Sequence, residues 1–495
     1  MFVTTRLPVA PSTRRPPQSL REAWPALTGL SAVFLFEMLD SSILNVALPT
    51  IGRELLASTL ALQWVTNAYA VVLGGLMLVL GSVADRVGRR RVMVVGLVLL
   101  AVASLATAFV TSTGELIAVR ALMGLAAAMT TPGSMALAFR LFDEEGLRIR
   151  AITLISTVGL VGLAVGPATG GFVLAIAPWQ VLLLANAPVA LLALVAIRAG
   201  VAADDPAALH REPSDVLGGV LATATIVLAL VVPTLFVDEG ARSWAPWAAS
   251  AAALLAAVLF VVRERTAAHP MLELGLLARP LVSSGLAYKA AAGLAVAGLG
   301  YLVTLQLQLD RGWSPALAAV GMLPQVLVLV AGAAFVGPFV QRVGVERAAW
   351  TSATAVVAGL AVFGLLGEGS YGWVALSLVL VAAGLRVVGI VAGTNVLQGL
   401  PQERTSTGAA LVDTASQVAS AVGIAVGGTL LAALFTGDVT TPGWSPGQTA
   451  QFREAVSAAA LTLTALAAAL VLWAALRTRR ATTVLRVPTA QEPSL

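Results

Sequence analysis

The sequence predicts an all-α integral membrane protein. It has fourteen spanning helices, arranged as two related six-helix halves with two further helices inserted between them. Three observations carry this. The 495-residue chain is 58% apolar and 11% charged, with a mean hydropathy of +0.91, outside the range of water-soluble domains. It divides into fourteen apolar runs, most near the ~20 residues a helix needs to cross a bilayer. Two short stretches also return in degraded form, at offsets of 256 and 261 residues.

Taken in order, residues 1–26 are rich in Arg and Pro and lack the apolar core and cleavage site of a signal peptide, so they read as a disordered tail. Spans 1 to 6 are expected at 27–49, 61–82, 91–110, 115–139, 150–174 and 180–198, within an N-terminal half of 27–199. Spans 7 and 8, at 216–237 and 246–262, form with their flanking loops an insert of 200–280. Spans 9 to 14, at 281–307, 316–340, 348–366, 373–399, 406–435 and 453–476, fill a C-terminal half of 281–476, before a tail of 477–495.

Arginine placement sets the expected orientation. Of 30 basic residues, 23 fall in tails and loops on one side, among them Arg14, Arg15, Arg479 and Arg480. Four (Arg53, Arg242, Arg311 and Arg453) fall on the other, and Arg120, Lys289 and Arg386 lie within spans. The crowded side is the cytoplasm by the positive-inside rule, and an even span count puts both termini there. The net charge of +5 then reflects topology. No basic stripe with interleaved aromatics points to nucleic acid.

Several chemistries fall away. Without cysteine there are no disulfides, Fe–S clusters or thiolate metal sites. Lys289 is the only lysine and sits in no phosphate-binding loop. His210 and His269 occupy separate loops, and no soluble stretch is long enough for a catalytic domain. The expectation is a protein that is not an enzyme, carries no metal or cofactor, and draws its energy from an ion gradient.

The echoes are specific. "GSVADRVGRRR" (81–91) returns as "GPFVQRVGVER" (337–347), with Gln341 where Asp85 stood. "GLAVGP" (162–167) of span 5 returns as "GIAVGG" (423–428) of span 13. Both pairs fall on matching spans of the two halves. Transporters built from such repeats bind substrate between the halves near the midplane.

These residues resemble the major facilitator superfamily, in its 14-helix drug:proton antiporter branch. Gly81, Asp85, Arg86, Gly88, Arg89 and Arg90 match the loop motif after helix 2. "LIAVRALMGLAAA" (116–128), with Arg120 and Gly124, is similar to the helix-4 motif. Gly162, Gly166, Pro167, Gly170 and Gly171 match the helix-5 motif that marks exporters. "LDSSILNVALP" (39–49), with Asp40, Asn45 and Pro49, resembles the helix-1 signature. In "GAALVDTASQVASAVGIAVGG" (408–428), Asp413 and Ser416 depart from the family's more usual Asn and Arg. The resemblance implies a major-facilitator fold in the bacterial cytoplasmic membrane, crossing it many times. It also implies proton-coupled efflux of drugs or antibiotics by alternating access. Asp85 and the loop arginines are then a cytoplasmic gate, closing on the start of helix 13 (405–408), and Arg120 joins a proton relay.

Buried charge supplies the candidate chemistry. An ionised side chain at mid-bilayer costs ~2.5–3.5 kcal/mol even on the mild insertion scale, so such residues are functional by default. Asp40 lies near the middle of span 1, and Glu37, three residues earlier, shares its face. Two acids so close compete for ionisation, the property a proton carrier needs. Asp40, Glu37, Arg120 and Asp413 are therefore the proton-coupling candidates, with Arg120 as counter-charge to both acids. Asn45, Arg386 and Lys289 are assigned to the substrate cavity, with an Arg386–Asp413 ion pair as the structural alternative. The expected partners are a small amphipathic substrate, protons and membrane lipids, and a monomer suffices. The alternatives are an importer on the same fold, a dedicated exporter of one metabolite or anionic antibiotic, and a non-transporting membrane sensor.

Overall fold

The structure, a computed structural model, describes residues 17–204, 215–268, 270, 274–400, 405–437 and 443–485. Arg14, Arg15, His210 and His269 lie outside the described residues. Among those described there is no strand. Thirteen helices are long and apolar enough to cross a membrane, and a bent pair makes the fourteenth.

The first half comprises α1 (Trp24–Leu55), α2 (Thr59–Val87), α3 (Arg89–Ala106), α4 (Thr113–Arg140), α5 (Glu145–Leu174) and α6 (Gln180–Gly200). The insert is α7 (Val216–Asp238) and α8 (Ala245–Thr266). The second half comprises α9 (Pro280–Asp310), α10 (Leu323–Ala331 with Phe335–Val343), α11 (Val345–Leu366), α12 (Tyr371–Gly399), α13 (Thr405–Leu434) and α14 (Pro446–Leu485). α1 begins inside the stretch expected as a tail, with Pro25 in its first turn, where a missing N–H costs nothing. α14 likewise runs into the expected C-terminal tail. Side-chain caps mark other starts: Ser58 accepts from Ala61 N–H at α2, and Ser112 and Glu115 form a capping box at α4.

One expected element is corrected. The single span 316–340 is instead a short helix, Pro315–Gly321, followed by a broken α10 whose two segments meet at 69°. Gly332 sits at the break, as the C-cap of one segment and the N-cap of the next.

The repeated glycines show why each half folds alike. α5 lies along α1 because Gly162 faces Leu35, where an added Cβ would sit 2.9 Å from the carbonyl oxygen. Its echo Gly423 lets α13 lie along α9, with the corresponding atom 2.5 Å from the Leu294 carbonyl. Without a hydrophobic force between helices in lipid, such close backbone approach is what holds them together. Gly166 similarly makes room for Ser42, whose hydroxyl donates to the Met38 and Leu39 carbonyls. Gly170 fits against Ile43.

Between halves, α2 runs antiparallel to α13, with Gly74 against Gln417 and Val418, and Gln63 against Gly428. Gly171 at the end of α5 abuts Pro315 and Ala319, and Gln308 Nε2 donates to the Val46 carbonyl at 2.8 Å. α7 rests on α2 through Thr223 Oγ1, which donates to the Gly75 carbonyl at 2.7 Å. α8 packs on α7 and turns Leu254, Leu255, Val258, Leu259 and Val262 outward, the surface a lipid-facing helix presents.

Candidate functional site

Two of the predicted charges meet at the centre of the first half. Arg120 of α4 and Asp40 of α1 are essentially unexposed, and Arg120 Nη1 donates to Asp40 Oδ2 at 2.6 Å. Arg120 Nε donates to the Val65 carbonyl of α2 at 3.3 Å, and the guanidinium lies 4.6 Å from the centre of the Tyr69 ring. Asn186 of α6 completes the shell, its Nδ2 donating to Asp40 Oδ1 at 3.0 Å. Each carboxylate oxygen has its own donor, so the pair is closed on itself. A buried pair offsets its desolvation only when the remaining polar atoms are met in this way.

Glu37, one turn away on α1 and almost fully buried, has no share in that shell. Thr131 Oγ1 of α4 donates to Glu37 Oε2 at 2.7 Å, and Gln417 Nε2 of α13 donates to Oε1 at 3.0 Å. Arg120 is therefore counter-charge to Asp40 alone, not to both acids as the sequence suggested. Its Nε and Nη1 donate to Val65, Asp40 and Met123, and its face lies over the Tyr69 ring. The Gln417 bond joins positions 380 apart and ties one half to the other.

Asp413 of α13 and Lys289 of α9 lie close enough to Glu37 for their charges to act on it, and Lys289 does not reach it as an ion pair. The expected Arg386–Asp413 pair is not formed. The stem of Arg386 instead packs beside Gly332 at the break in α10, and its Nε is buried without a partner. Asp413 has Lys289 as the nearer cation to compensate it electrostatically. Gly389 and Gly393, on the Arg386 side of α12, face open space. Asn45 is buried with its carbonyl oxygen unpaired.

The charged turn is built on Gly88, whose φ of +117° suits glycine and breaks α2 from α3. Asp85 and Arg89 pair across one helical turn at 2.5 Å. Asp204, beyond α6, accepts from Arg90 N–H and Arg91 N–H at 3.1 and 3.0 Å, capping the start of α3. Arg90 Nη2 donates to the Arg198 carbonyl. The side chains at 405–407, Asp85's expected partners, lie outside the described residues. The antiparallel register that sets Gln63 against Gly428 and Gly74 against Gln417 carries Asp85 to the level of residue 406.

Sequence reasoning missed Tyr69, Thr131, Asn186, Asp204 and Gln417. The available signal was a polar side chain inside an apolar run, which applies to the first three and to Gln417, though many span residues share it.

Comparisons with known proteins agree with this architecture. A profile of the Major Facilitator Superfamily matches residues 30–424. The multidrug efflux pump LfrA of Mycolicibacterium smegmatis is 30% identical over 473 residues, covering 94% of this chain and 92% of its own. The cephamycin export protein CmcT of Amycolatopsis lactamdurans is 31% identical over 78% of this chain and 80% of its own. Among solved structures, a bacterial homolog of the human lysosomal transporter Spinster superposes with a TM-score of 0.65 at 14% identity, over 96% of this chain and 100% of that one.

Proposed function

The chain belongs to the Major Facilitator Superfamily as a multi-pass protein of the cell membrane, and from that premise we propose that it exports small amphipathic molecules by alternating access in exchange for protons. The observation that carries the reading is the buried cluster of Asp40, Glu37 and Arg120, joined to the second half through Gln417. Acids held at the centre of a spanning bundle mark proton relays, and a bond between halves is where a relay can act on alternating access. The relatives' names, an efflux pump and an export protein, support the outward direction. So does the helix-5 glycine face, which packs tightly on α1.

In this reading Asp40, Glu37, Arg120 and Asp413 form the charged group at which the proton is coupled, and Asn45, Arg386 and Lys289 line the substrate path. Gly81, Asp85, Arg86, Gly88, Arg89 and Arg90 gate the cytoplasmic side, where both termini lie. A proton gradient is the only energy source required, and one copy of the chain is sufficient. One proton entering down ~1 pH unit and ~100 mV releases roughly 1.4 plus 2.3 kcal/mol. That supports a gradient of about several hundred-fold for a neutral substrate exchanged one for one.

Arg386 forms no ion pair among the described residues, so a substrate with an anionic group, alone or beside a cation, fits this path as well as a lipophilic cation does. The test of the main reading uses purified protein in liposomes with ethidium as probe. An imposed inward-directed pH gradient should drive uphill ethidium transport that nigericin collapses. Transport that proceeds equally without the gradient would remove proton coupling from the proposal.

A further inference from the structure

The cluster holds two acids one helical turn apart, and they are not equivalent. Asp40 is completely buried and both of its oxygens are engaged, one by the Arg120 guanidinium and the other by Asn186. Placing a proton on Asp40 would leave a buried guanidinium without its counter-ion, over a Tyr69 ring and a single backbone carbonyl. Breaking a buried pair from one side is strongly unfavourable. Glu37 is held only by neutral donors, the Thr131 hydroxyl and the Gln417 amide. A proton there strands no partner: the hydroxyl and the amide can each turn to accept as well as donate.

The surroundings of Glu37 differ in access too. Gln417 and Asp413 are only partly buried on α13, whereas the shell of Asp40 is closed by Arg120, Tyr69 and Asn186, all buried. The charged and titratable groups facing Glu37 are Asp40 on its own helix, Tyr69 from α2, Arg120 from α4, Lys289 from α9 and Asp413 from α13. α5 offers it none: against this stretch of α1 it presents Gly159 and Gly162, which meet Phe34, Leu35 and Met38.

We propose that Glu37 is the acid that exchanges the coupled proton and that Gln417 of the other half reads its charge, while Asp40 serves as the fixed counter-ion of Arg120. The proposal rests on the proton-coupled reading above. As a carboxylate, Glu37 receives charge-assisted bonds from Thr131 and Gln417, roughly twice as strong as neutral ones. The carboxylate thus favours the arrangement in which α13 lies against α2 with the Gln417 side chain reaching α1. A proton taken from water on one side weakens the hold of Gln417 and lets the halves re-pack. Its release to water on the other side restores that hold. Gln417 acts through Glu37 and is a positioning residue.

The absence of cysteine makes the test direct. Nitroxide labels are placed by Phe139→Cys at the end of α4 and Phe339→Cys in the lower segment of α10, both exposed. Their distance distribution is followed with pH in the full-length protein in lipid nanodiscs. The labelled parent should interconvert between two distance populations as pH changes. Adding Glu37→Gln should freeze the ratio across the same range. Adding Asp40→Asn should retain the pH response, with loss of stability. Gln417→Leu should retain a response and change the population ratio about tenfold at a given pH, the weight of one charge-assisted bond.

Retention of the full pH response by Glu37→Gln overturns the proposal, even where Asp40→Asn proves too unstable to purify. Loss of the response in a well-folded Asp40→Asn protein also overturns it and returns the proton to Asp40. A parent protein with no pH response, together with ethidium transport indifferent to the gradient, would instead defeat the proton-coupled reading on which this rests.

Discussion

Arg120 and Arg386 stand 266 residues apart, at nearly repeat-related positions on α4 and α12, and meet opposite surroundings. Arg120 is enclosed by Asp40, the Val65 carbonyl and the Tyr69 ring. Arg386 is half-buried, has no partner at Nε and lies beside the break in α10. The turns between the second and third helices of each half repeat the contrast. Gly88 is pressed against Asp204, which caps α3, whereas Gly344 has the same left-handed backbone, φ +85°, and open space around it. α2 is continuous, and α10 bends by 69°. Both halves keep the glycine-mediated pairing of their first and fifth helices, so the shared fold resides there. The buried ion pair with a donor on each carboxylate oxygen is found in the first half. A buried pair met in this way ties together the elements it joins, so α1, α4 and α6 are held to one another at Asp40, and the site of Arg386 has no such tie.

The largest expected effect comes from opening the closed network. Arg120→Gln leaves the Asp40 carboxylate buried with Asn186 as its remaining donor, and removing one partner of a buried pair costs about 3–5 kcal/mol. Purified Arg120→Gln protein should unfold at a markedly lower temperature and lose monodispersity, measured by fluorescence-detected size exclusion after heating. Stability equal to the parent would show that the first half is not held by this pair.

A smaller effect separates the two turns. Gly88→Ala and Gly344→Ala both force an L-residue into left-handed backbone, at roughly 1–2 kcal/mol. Only Gly88→Ala also drives a methyl group into Asp204 and disturbs the cap on α3. Gly88→Ala should therefore lower the unfolding midpoint further than Gly344→Ala. In the Gly88→Ala background, Asp204→Ala should cost less than it does alone, because the collision goes with the cap. Equal effects at both glycines would remove the distinction between the turns.

The legible part of this molecule was what lipid enforces. Apolar runs long enough to span gave the helices, and charges inside those runs are expensive enough to stand out, which is how Asp40, Glu37, Arg120 and Asp413 were found. Neutral partners were not legible. Thr131, Asn186 and Gln417 cost little in a span, and they reach Asp40 or Glu37 across separations of 94 to 380 residues that only packing closes. Asp204 reads as an ordinary loop acid until α6 brings it to the start of α3. The break in α10 lies in a continuous apolar stretch, and Gly332 is one of 46 glycines. The Arg386–Asp413 pair, the structural alternative, shows the converse: opposite charges on neighbouring helices suggest a bond, but the Arg386 stem lies beside Gly332 and Asp413 has Lys289 near it.

Arg386 gives the finest probe of the contrast, because its removal breaks nothing inside the protein. With no ion pair to lose, Arg386→Gln should leave the unfolding midpoint within about 0.5 kcal/mol of the parent, as at a site outside any network. The Arg386 stem lies beside the break in α10, on the helix face where Gly389 and Gly393 meet open space, a setting that suits a bound anionic group rather than a structural partner. Transport of an anionic β-lactam in proteoliposomes should then lose about tenfold in apparent affinity, the weight of one charge-assisted bond, while ethidium transport holds or improves. Vmax driven by the pH gradient should not change, since Glu37, Asp40 and Arg120 are untouched. Parallel losses for both probes would assign Arg386 to the hinge of α10 rather than to the substrate. A lowered unfolding midpoint would show that Arg386 has a structural role in the second half.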